Sequence, residues 1–331
     1  MDDRLIEMFR AADLYYRHGE TMDAVARKLG TSRSTVSRLL QGAREAGLVR
    51  ITLVEPTVAS AAGRTLADAF GIDVVVVPVP EAVADVERLR RVAGQAARIL
   101  GDLTAGRPGQ VIGFAWGTTV AALVRQLDPV PTADATVVQM NGAANALTSG
   151  IPYAGMILTD AGRALGERVV QFPVPAFFDR QATREAMWQE RSIRRVLDLR
   201  RQLDCAVFGV GAIGARVGSH VYTAGYLDRD DLARLHADGV VGDVSTVMLR
   251  ADGSWRDIPL NARASGMTPE ELAGVPHRLC VVASPSKAAA LLGALQAGVA
   301  TRLVVDETTA RRCARLLRDG AEGAGISRRP R

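Results

Sequence analysis

Seven residues near the start of this 331-residue chain combine positive charge and hydroxyl groups at close spacing: Lys28, Ser32, Arg33, Ser34, Ser37, Arg38 and Arg44. Arg can make paired hydrogen bonds to guanine O6 and N7, and Ser can bond base edges or phosphates. Lys28 and Arg44 lie either side of the cluster, where they suit phosphate contacts that set register without reading sequence. This is chemistry fit for double-stranded DNA.

A second group recurs directly after short apolar runs. Trp116-Gly117-Thr118-Thr119 follows Val111–Phe114, and Asn141-Gly142 follows Val137–Met140. Gly211, with Gly214 nearby, follows Val207–Val210, Ser284-Pro285-Ser286-Lys287 follows Val281–Ala283, and Asp306–Thr309 follows Val304-Val305. Two hydroxyls and free backbone N–H groups at a helix start make a natural anion or polyol site. Lys287 can pair with a phosphate or carboxylate, or stand in solvent as a lone lysine at a helix start. Asp243, beside Gly242 and after a loop, is either an acceptor for ligand hydroxyls or a turn residue. Each loop alone is an ordinary turn or cap. Together they imply a sugar or sugar-phosphate pocket.

The first group needs two helices that cross closely. Over residues 4–18, Leu5, Ile6, Phe9, Ala12 and Tyr16 recur every three or four residues, which places them on one helix face. A short helix over Met22–Leu29 stops at Gly30. A third, capped by Thr31 or Ser32, runs to about Ala46 and stops at Gly47. Val25, Ala26 and Leu29 face Val36, Leu39 and Leu40; Ala26 is small at the crossing, and Gly30 supplies the positive φ of the tight turn. The result is a helix-turn-helix whose Ser32, Arg33, Ser34, Ser37 and Arg38 project from the first turns of the helix that enters the major groove in this motif. A plain two-helix hairpin with solvated Arg and Ser shares the pattern. Its place at one end of the chain, ahead of a large second domain, favours DNA. Val49–Val54 then alternates like a strand, closed by Pro56.

The second group needs a sheet. After a linker helix over Ala59–Phe70, apolar runs at Asp73–Val77, Gln110–Phe114, Thr136–Met140, Ala206–Val210, Thr246–Leu249, Leu279–Ala283 and Arg302–Val305 alternate with amphipathic segments. Those segments are Ala84–Leu103, Thr119–Leu127, Thr183–Asp198, Lys287–Gln296 and Thr308–Arg318. The pattern predicts an α/β domain, a mostly parallel sheet with helices on both faces, whose ligands bind at the carboxyl ends of the strands. The expected division is a DNA-binding domain over 1–55, an effector-binding and oligomerisation domain over 56–320, and a disordered Gly- and Arg-rich tail over 321–331.

Composition narrows the function. The net charge of +5 favours a polyanionic partner, yet residues 1–53 hold nine Lys/Arg against seven Asp/Glu, so any DNA-binding basicity must be gathered on one face. No stretch approaches the roughly 18 apolar residues of a membrane helix, and Met1-Asp2-Asp3-Arg4 does not open a signal peptide. Cys205, Cys280 and Cys313 are too far apart for a metal knot and odd in number, which points to buried free thiols in a reducing cytoplasm. His18, His220, His236 and His277 show no metal spacing, and no phosphate-loop, HExxH or GxSxG motif is present. No metal or cofactor is expected.

The chain resembles the SorC family of sugar-responsive bacterial regulators over about residues 5–318. Its most specific stretches are Leu14-Tyr15-Tyr16, Val36–Leu40 and Ala43–Val49; the second domain matches at Gly113–Thr119, Gln139–Gly142, Gly209–Gly211, Gly242-Asp243, Asn261–Arg263, Lys287 and Asp306–Thr309. The resemblance implies a Rossmann-like sensor domain similar to sugar-phosphate isomerases, assembly as a homodimer or homotetramer, and binding of a sugar, polyol or phosphosugar. It places the effector pocket on Gly117, Thr118, Thr119, Asn141, Gly142, Asp243 and Lys287. Phosphosugar-binding members carry an Arg and a Gln after the Asn-Gly motif; here Ala143–Ile151 has neither, which turns the expectation towards an unphosphorylated ligand. Asn141 stands where some members carry a Schiff-base lysine, so no covalent adduct is expected there. The leading reading is a cytoplasmic, effector-controlled transcriptional regulator. The alternative, an active sugar-phosphate isomerase with an appended DNA-binding domain, needs an acid/base pair, and Asp243 has no second carboxylate or histidine at motif spacing.

Overall fold

A computed structural model describes residues 3–49, 60–129, 135–145, 150–166, 168–215 and 219–326. The chain forms two compact units that divide between Val54 and Glu55.

The smaller unit holds α1 (Asp3–Ala12), a π-type turn over Asp13–Arg17, α2 (Met22–Leu29) and α3 (Arg33–Glu45). Thr21 and Ser32 cap α2 and α3 by accepting from the backbone N–H of Ala24 and Thr35. Gly30 ends α2 in the left-handed conformation (φ 64°), which glycine adopts without a Cβ penalty. The core is Ala11, Ala12, Val25, Ala26, Val36, Leu40 and Ala43. The face expected for α1 is out of phase. Ala12 is buried, but Leu5, Phe9 and Tyr16 are exposed. Met8, Ala11 and Ala12 pack inward instead, because Gly42 on α3 leaves room for Met8; a Cβ there would stand 2.6 Å from its Cε. The strand expected over Val49–Val54 falls, beyond Val49, outside the described residues.

The larger unit begins with α4 (Ala61–Phe70). Seven parallel strands form its sheet: β1 (Asp73–Val77), β2 (Val111–Phe114), β3 (Thr136–Gln139), β4 (Arg168–Val170), β5 (Cys205–Gly209), β9 (His277–Val282) and β10 (Arg302–Asp306), in the order β1-β10-β9-β5-β2-β3-β4. A second, antiparallel sheet joins β6 (Gly211–Ala212), β7 (Val240–Val244) and β8 (Val247–Arg250). The run expected at Thr246–Leu249 is therefore β8 of this small sheet, not part of the parallel one.

Side chains alternate across the large sheet. Ile112, Phe114, Val207, Leu279 and Val304 pack with α5 (Asp85–Thr104), α6 (Thr118–Val124) and α7 (Gly150–Leu165). Phe208, Cys280, Val282, Leu303 and Val305 pack on the other face with α4 and, further along the chain, α9 (Arg191–Arg200), α12 (Pro269–Ala273), α13 (Ala288–Gln296) and α14 (Glu307–Ile326). Burial on both faces explains the near-continuous Val and Ile runs. The single helix expected over Thr183–Asp198 is two, α8 (Gln181–Met187) and α9, with a turn between them. α10 (His220–Thr223) and α11 (Arg229–Ala237) precede β7. α14 continues to Ile326, past the start of the expected tail, and 327–331 lie outside the described residues. Cys205, Cys280 and Cys313 are buried free thiols.

Candidate functional site

Neighbouring strands β2 and β5 send their chains in opposite directions across the sheet, β2 towards β3 and β5 towards β9. The loops beyond their carboxyl ends therefore part and leave a crevice, the usual ligand position in such a sheet. A cleft opens there. Its walls come from residues 115–120 after β2, Asn141 after β3, residues 209–211 from the end of β5 to the start of β6, residues 219–221 at the start of α10, Asp243, Ser245 and Thr246 of the β7–β8 hairpin, and Lys287.

The cleft gathers Gly117, Thr118, Thr119, Asn141, Asp243 and Lys287, six of the seven residues expected for the effector. Gly142 is beneath it. Its N–H donates to Ser265 Oγ (3.0 Å), and its carbonyl accepts from Trp116 Nε1 (2.8 Å). A Cβ at 142 would lie 2.4 Å from the carbonyl oxygens of Val174 and Pro175, so the close backbone approach demands glycine. Gly142 thus holds Trp116, which stacks on Tyr226 at 5.0 Å.

Asp243 sits within β7, not in a turn, paired with Gly211 of β6. A Cβ on Gly211 would stand 1.9 Å from Asp243 Oδ1, which accounts for the glycine. Asp243 Oδ2 accepts from the Thr246 N–H (3.1 Å). Burial raises the Asp243 carboxyl above the usual carboxylate range, against the opposing pull of the Tyr222 hydroxyl, the Thr246 N–H and Lys287. Lys287 is buried rather than solvated. Its Nζ donates to the Val210 carbonyl (3.0 Å), and burial lowers its ammonium below the usual lysine value, with Asp243 opposing. Gln139 braces the third wall, donating to the Asn141 carbonyl (2.8 Å) and accepting from the Phe172 N–H (3.0 Å).

Sequence reading missed Ser219, His220, Val221, Ser245 and Thr246. Ser245 and Thr246 form the hairpin turn with φ of 52° and 71°, a conformation uncommon for such residues. Their polar character beside Gly242-Asp243 was the only available signal. Asp306–Thr309 and Asn261–Arg263 lie outside the cleft and brace the fold. Asp306 is fully buried, pairs with Arg88 (2.8 Å), and accepts from Ser284 N–H and from Thr309 N–H and Oγ1. Asn261 bonds both the N–H and the carbonyl of Met248. Among the described residues, no group of three or more His, Cys, Asp or Glu could hold a metal ion.

On the smaller unit, Lys28, Ser32, Arg33, Ser34, Ser37, Arg38 and Arg44 are all exposed. Ser32 Oγ lies 2.8 Å from Ser34 Oγ and 2.9 Å from Thr35 Oγ1. Lys28 pairs with Glu20, and Arg33 lies 3.8 Å from Asp23. DNA phosphates and bases would therefore have to displace existing acidic partners at both positions.

Residues 55–314 match the Sugar-bind family, a sugar-binding domain, and residues 11–52 match a helix-turn-helix domain. The chain belongs to the SorC family of sugar-binding transcriptional regulators. The crystal structure of a domain of a possible sugar-binding transcriptional regulator from Arthrobacter aurescens is 47% identical, with a TM-score of 0.72, over 80% of this chain and 100% of that one. The deoxyribonucleoside regulator of Bacillus subtilis is 27% identical over 91% of this chain and 95% of its own. The full-length sorbitol operon regulator SorC of Klebsiella pneumoniae shares the fold, at 24% identity and a TM-score of 0.79, over 95% of this chain and 99% of that one. These relatives are named as regulators, not enzymes, which sets aside the isomerase alternative. No helix among the described residues is long and apolar enough to cross a membrane.

Proposed function

We propose that this SorC-family chain controls transcription by binding an operator through α3 and by releasing or remaking that contact when a sugar, polyol or sugar phosphate fills the cleft between β2 and β5. The observation that carries this reading is one chain joining two features. One is a helix-turn-helix with Ser32, Arg33, Ser34, Ser37 and Arg38 exposed on the first turns of α3. The other is a polar cleft at the carboxyl ends of β2 and β5.

Residues 1–55 serve DNA binding, with Lys28 and Arg44 on phosphates. Residues 56–320 serve effector binding and assembly as a homodimer or homotetramer in the cytoplasm. In a dimer, two recognition helices meet half-sites one duplex turn, or a multiple of it, apart. The effector needs only a different affinity for two subunit arrangements, and coupling of about 1–3 kcal/mol is typical. Gly117, Thr118, Thr119, Asn141, Asp243 and Lys287 hold the ligand, and Gly142 holds Trp116 behind it.

The test is operator binding by fluorescence anisotropy. Full-length protein is used to select its operator from fragmented genomic DNA, and the complex is titrated with sugars, alditols and their phosphates. A ligand that shifts the operator affinity, and whose effect is lost in Asp243→Asn, supports the reading. Selection that enriches no sequence sinks it.

A further inference from the structure

The positive charge of this chain is not gathered on the helix-turn-helix. Residues 308–331 hold seven Arg against one Asp and one Glu, an excess of five, which equals the +5 of the entire chain. The first 307 residues therefore sum to zero. A DNA-binding protein draws most of its sequence-independent affinity from cations set against phosphates, so the place where the cations collect bears on how the duplex is held.

Four of the seven arginines lie on α14. Arg311, Arg315 and Arg318 recur at four- and three-residue spacing and share one helix face, with Arg312 beside them. All four are exposed. The opposite face of α14 is fixed in the core by Ala310, Cys313 and Ala314, so the arginine stripe is held outward. Arg311, Arg315 and Arg318 line a groove with Ser60 and Thr65 of the neighbouring α4. Arg311 pairs with Glu307, but Arg312, Arg315 and Arg318 make no ion pair among the described residues. The recognition unit differs here, since its Lys28 and Arg33 each face an acid that DNA must displace.

Like charges three and four residues apart repel along a helix, and nothing on α4 or α14 offsets Arg312, Arg315 and Arg318. A polyanion would. Arg311 to Arg318 spans about 10 Å of helix axis, the length over which one strand of a duplex presents about three phosphates. Guanidinium groups meet phosphate oxygens with paired hydrogen bonds, and hydroxyls such as those of Ser60 and Thr65 bond them as well. The helix-turn-helix brings such a duplex to this same chain. Val49 and Ser60 are joined by a tether of eleven peptide steps, whose contour is at most about 40 Å. A duplex with two half-sites runs for at least about 34 Å, so the tether keeps the stripe within reach of bound DNA.

We propose that the arginine stripe of α14 is a second DNA contact, in which Arg312, Arg315 and Arg318 hold backbone phosphates of the duplex that α3 reads. It adds affinity for any sequence and no discrimination between sequences. The proposal rests on the chain binding DNA; it does not depend on which residues of α3 read bases or on what fills the cleft.

Fluorescence anisotropy of the full-length protein tests it, on a random duplex of about 30 base pairs and on the selected operator, between about 50 and 200 mM salt. The triple variant Arg312→Gln, Arg315→Gln, Arg318→Gln is compared with wild type, with the same three positions changed to Lys, and with Arg191→Gln, Arg194→Gln, Arg195→Gln. The last removes three exposed arginines from α9 and lowers the net charge equally. In the α14 Gln variant, the slope of log affinity against log salt is expected to fall by about 2–3, at roughly 0.9 per lost phosphate contact. Both duplexes should bind at least about tenfold more weakly near 50 mM salt, and by the same factor, because phosphate contacts carry no sequence information. The Lys variant keeps most of the slope, since a phosphate accepts a point charge. An unchanged slope in the α14 Gln variant overturns the inference and leaves operator reading by α3 in place. An equal fall in the α9 variant also overturns it, because net charge alone would then account for the effect. A changed sedimentation coefficient with an unchanged slope assigns the stripe to a contact between copies of the chain instead. Wild-type protein that binds neither duplex brings down the regulator reading and this inference together.

Discussion

Gly211→Ala is a one-carbon perturbation aimed at the centre of the cleft. The added Cβ would stand 1.9 Å from Asp243 Oδ1, 2.9 Å from Asp243 Cγ and 3.1 Å from Ser219 Oγ. Ordinary contact begins at 3.4 Å, so the carboxylate must retreat by about 1.5 Å. The backbone cannot yield easily, because Gly211 and Asp243 are register partners in the β6–β7 ladder. The side chain must therefore rotate, which gives up the 3.1 Å bond from the Thr246 N–H. Overpacking of this kind costs about 1–3 kcal/mol, and a unit of this size loses roughly 2–4 °C in Tm per kcal/mol. The displaced carboxylate also forfeits a charge-assisted bond to the effector, worth roughly 10- to 100-fold in affinity. Calorimetry with the effector and thermal melts without it read both quantities. The effector concentration needed to shift the operator complex is expected to rise by the same factor as the calorimetric Kd. Wild-type effector affinity in Gly211→Ala would refute the reasoning, because it would show that the ligand does not depend on where Asp243 stands.

Three further outcomes are expected. Burial raises the Asp243 carboxyl, so protonation favours the ligand-free fold; that contribution is full below the ordinary value of 3.8 and is lost as pH rises through the raised folded value. Asp243→Asn should therefore raise the Tm of the ligand-free protein at pH 7 and flatten its pH dependence, and an unchanged melt would count against a buried carboxylate. Arg38→Ala or Arg33→Ala should weaken operator binding by about 1–3 kcal/mol if either reads a guanine; unchanged anisotropy titrations in both would remove α3 as the recognition helix. Arg88→Leu leaves the fully buried Asp306 without its guanidinium partner and should cost about 3–5 kcal/mol in denaturant unfolding of the larger unit, since a buried charge is stranded. A loss under about 1 kcal/mol would mean that the bonds from Ser284 and Thr309 satisfy Asp306 alone.

Local patterns in the sequence carried the helix-turn-helix and the parallel sheet. Val25, Ala26, Val36 and Leu40 are spaced by the helix period and form the observed core. The Val-rich runs at β1, β2, β5, β9 and β10 are strands because burial on both faces demands continuous apolar residues. What escaped has few such residues or depends on distant partners. β4 spans three residues and β6 two, too short for any period. β7 is broken by Gly242, whose missing side chain answers to Gly211 and Ala290, residues far off in the chain. The phase of α1 was misread because Gly42, on another helix, decides that Met8 rather than Phe9 turns inward. Within the cleft, Gly117–Thr119, Asn141 and Lys287 were visible because they follow apolar runs. Ser245 and Thr246 were not, because their left-handed turn is built without the glycine that usually marks one, which leaves only their polar character as a signal.

The three cysteines have a practical consequence for watching this protein work. Cys205, Cys280 and Cys313 are at most 1% exposed, and burial pushes each thiol up to about 12. At pH 7 only about one such thiol in 10⁵ is the reactive thiolate. The native chain is therefore a silent background for maleimide chemistry. A dye carried by one new cysteine away from the DNA-reading face, for instance at the exposed Glu7 of α1, would label that position alone, and its emission would follow the smaller unit onto and off the duplex in real time.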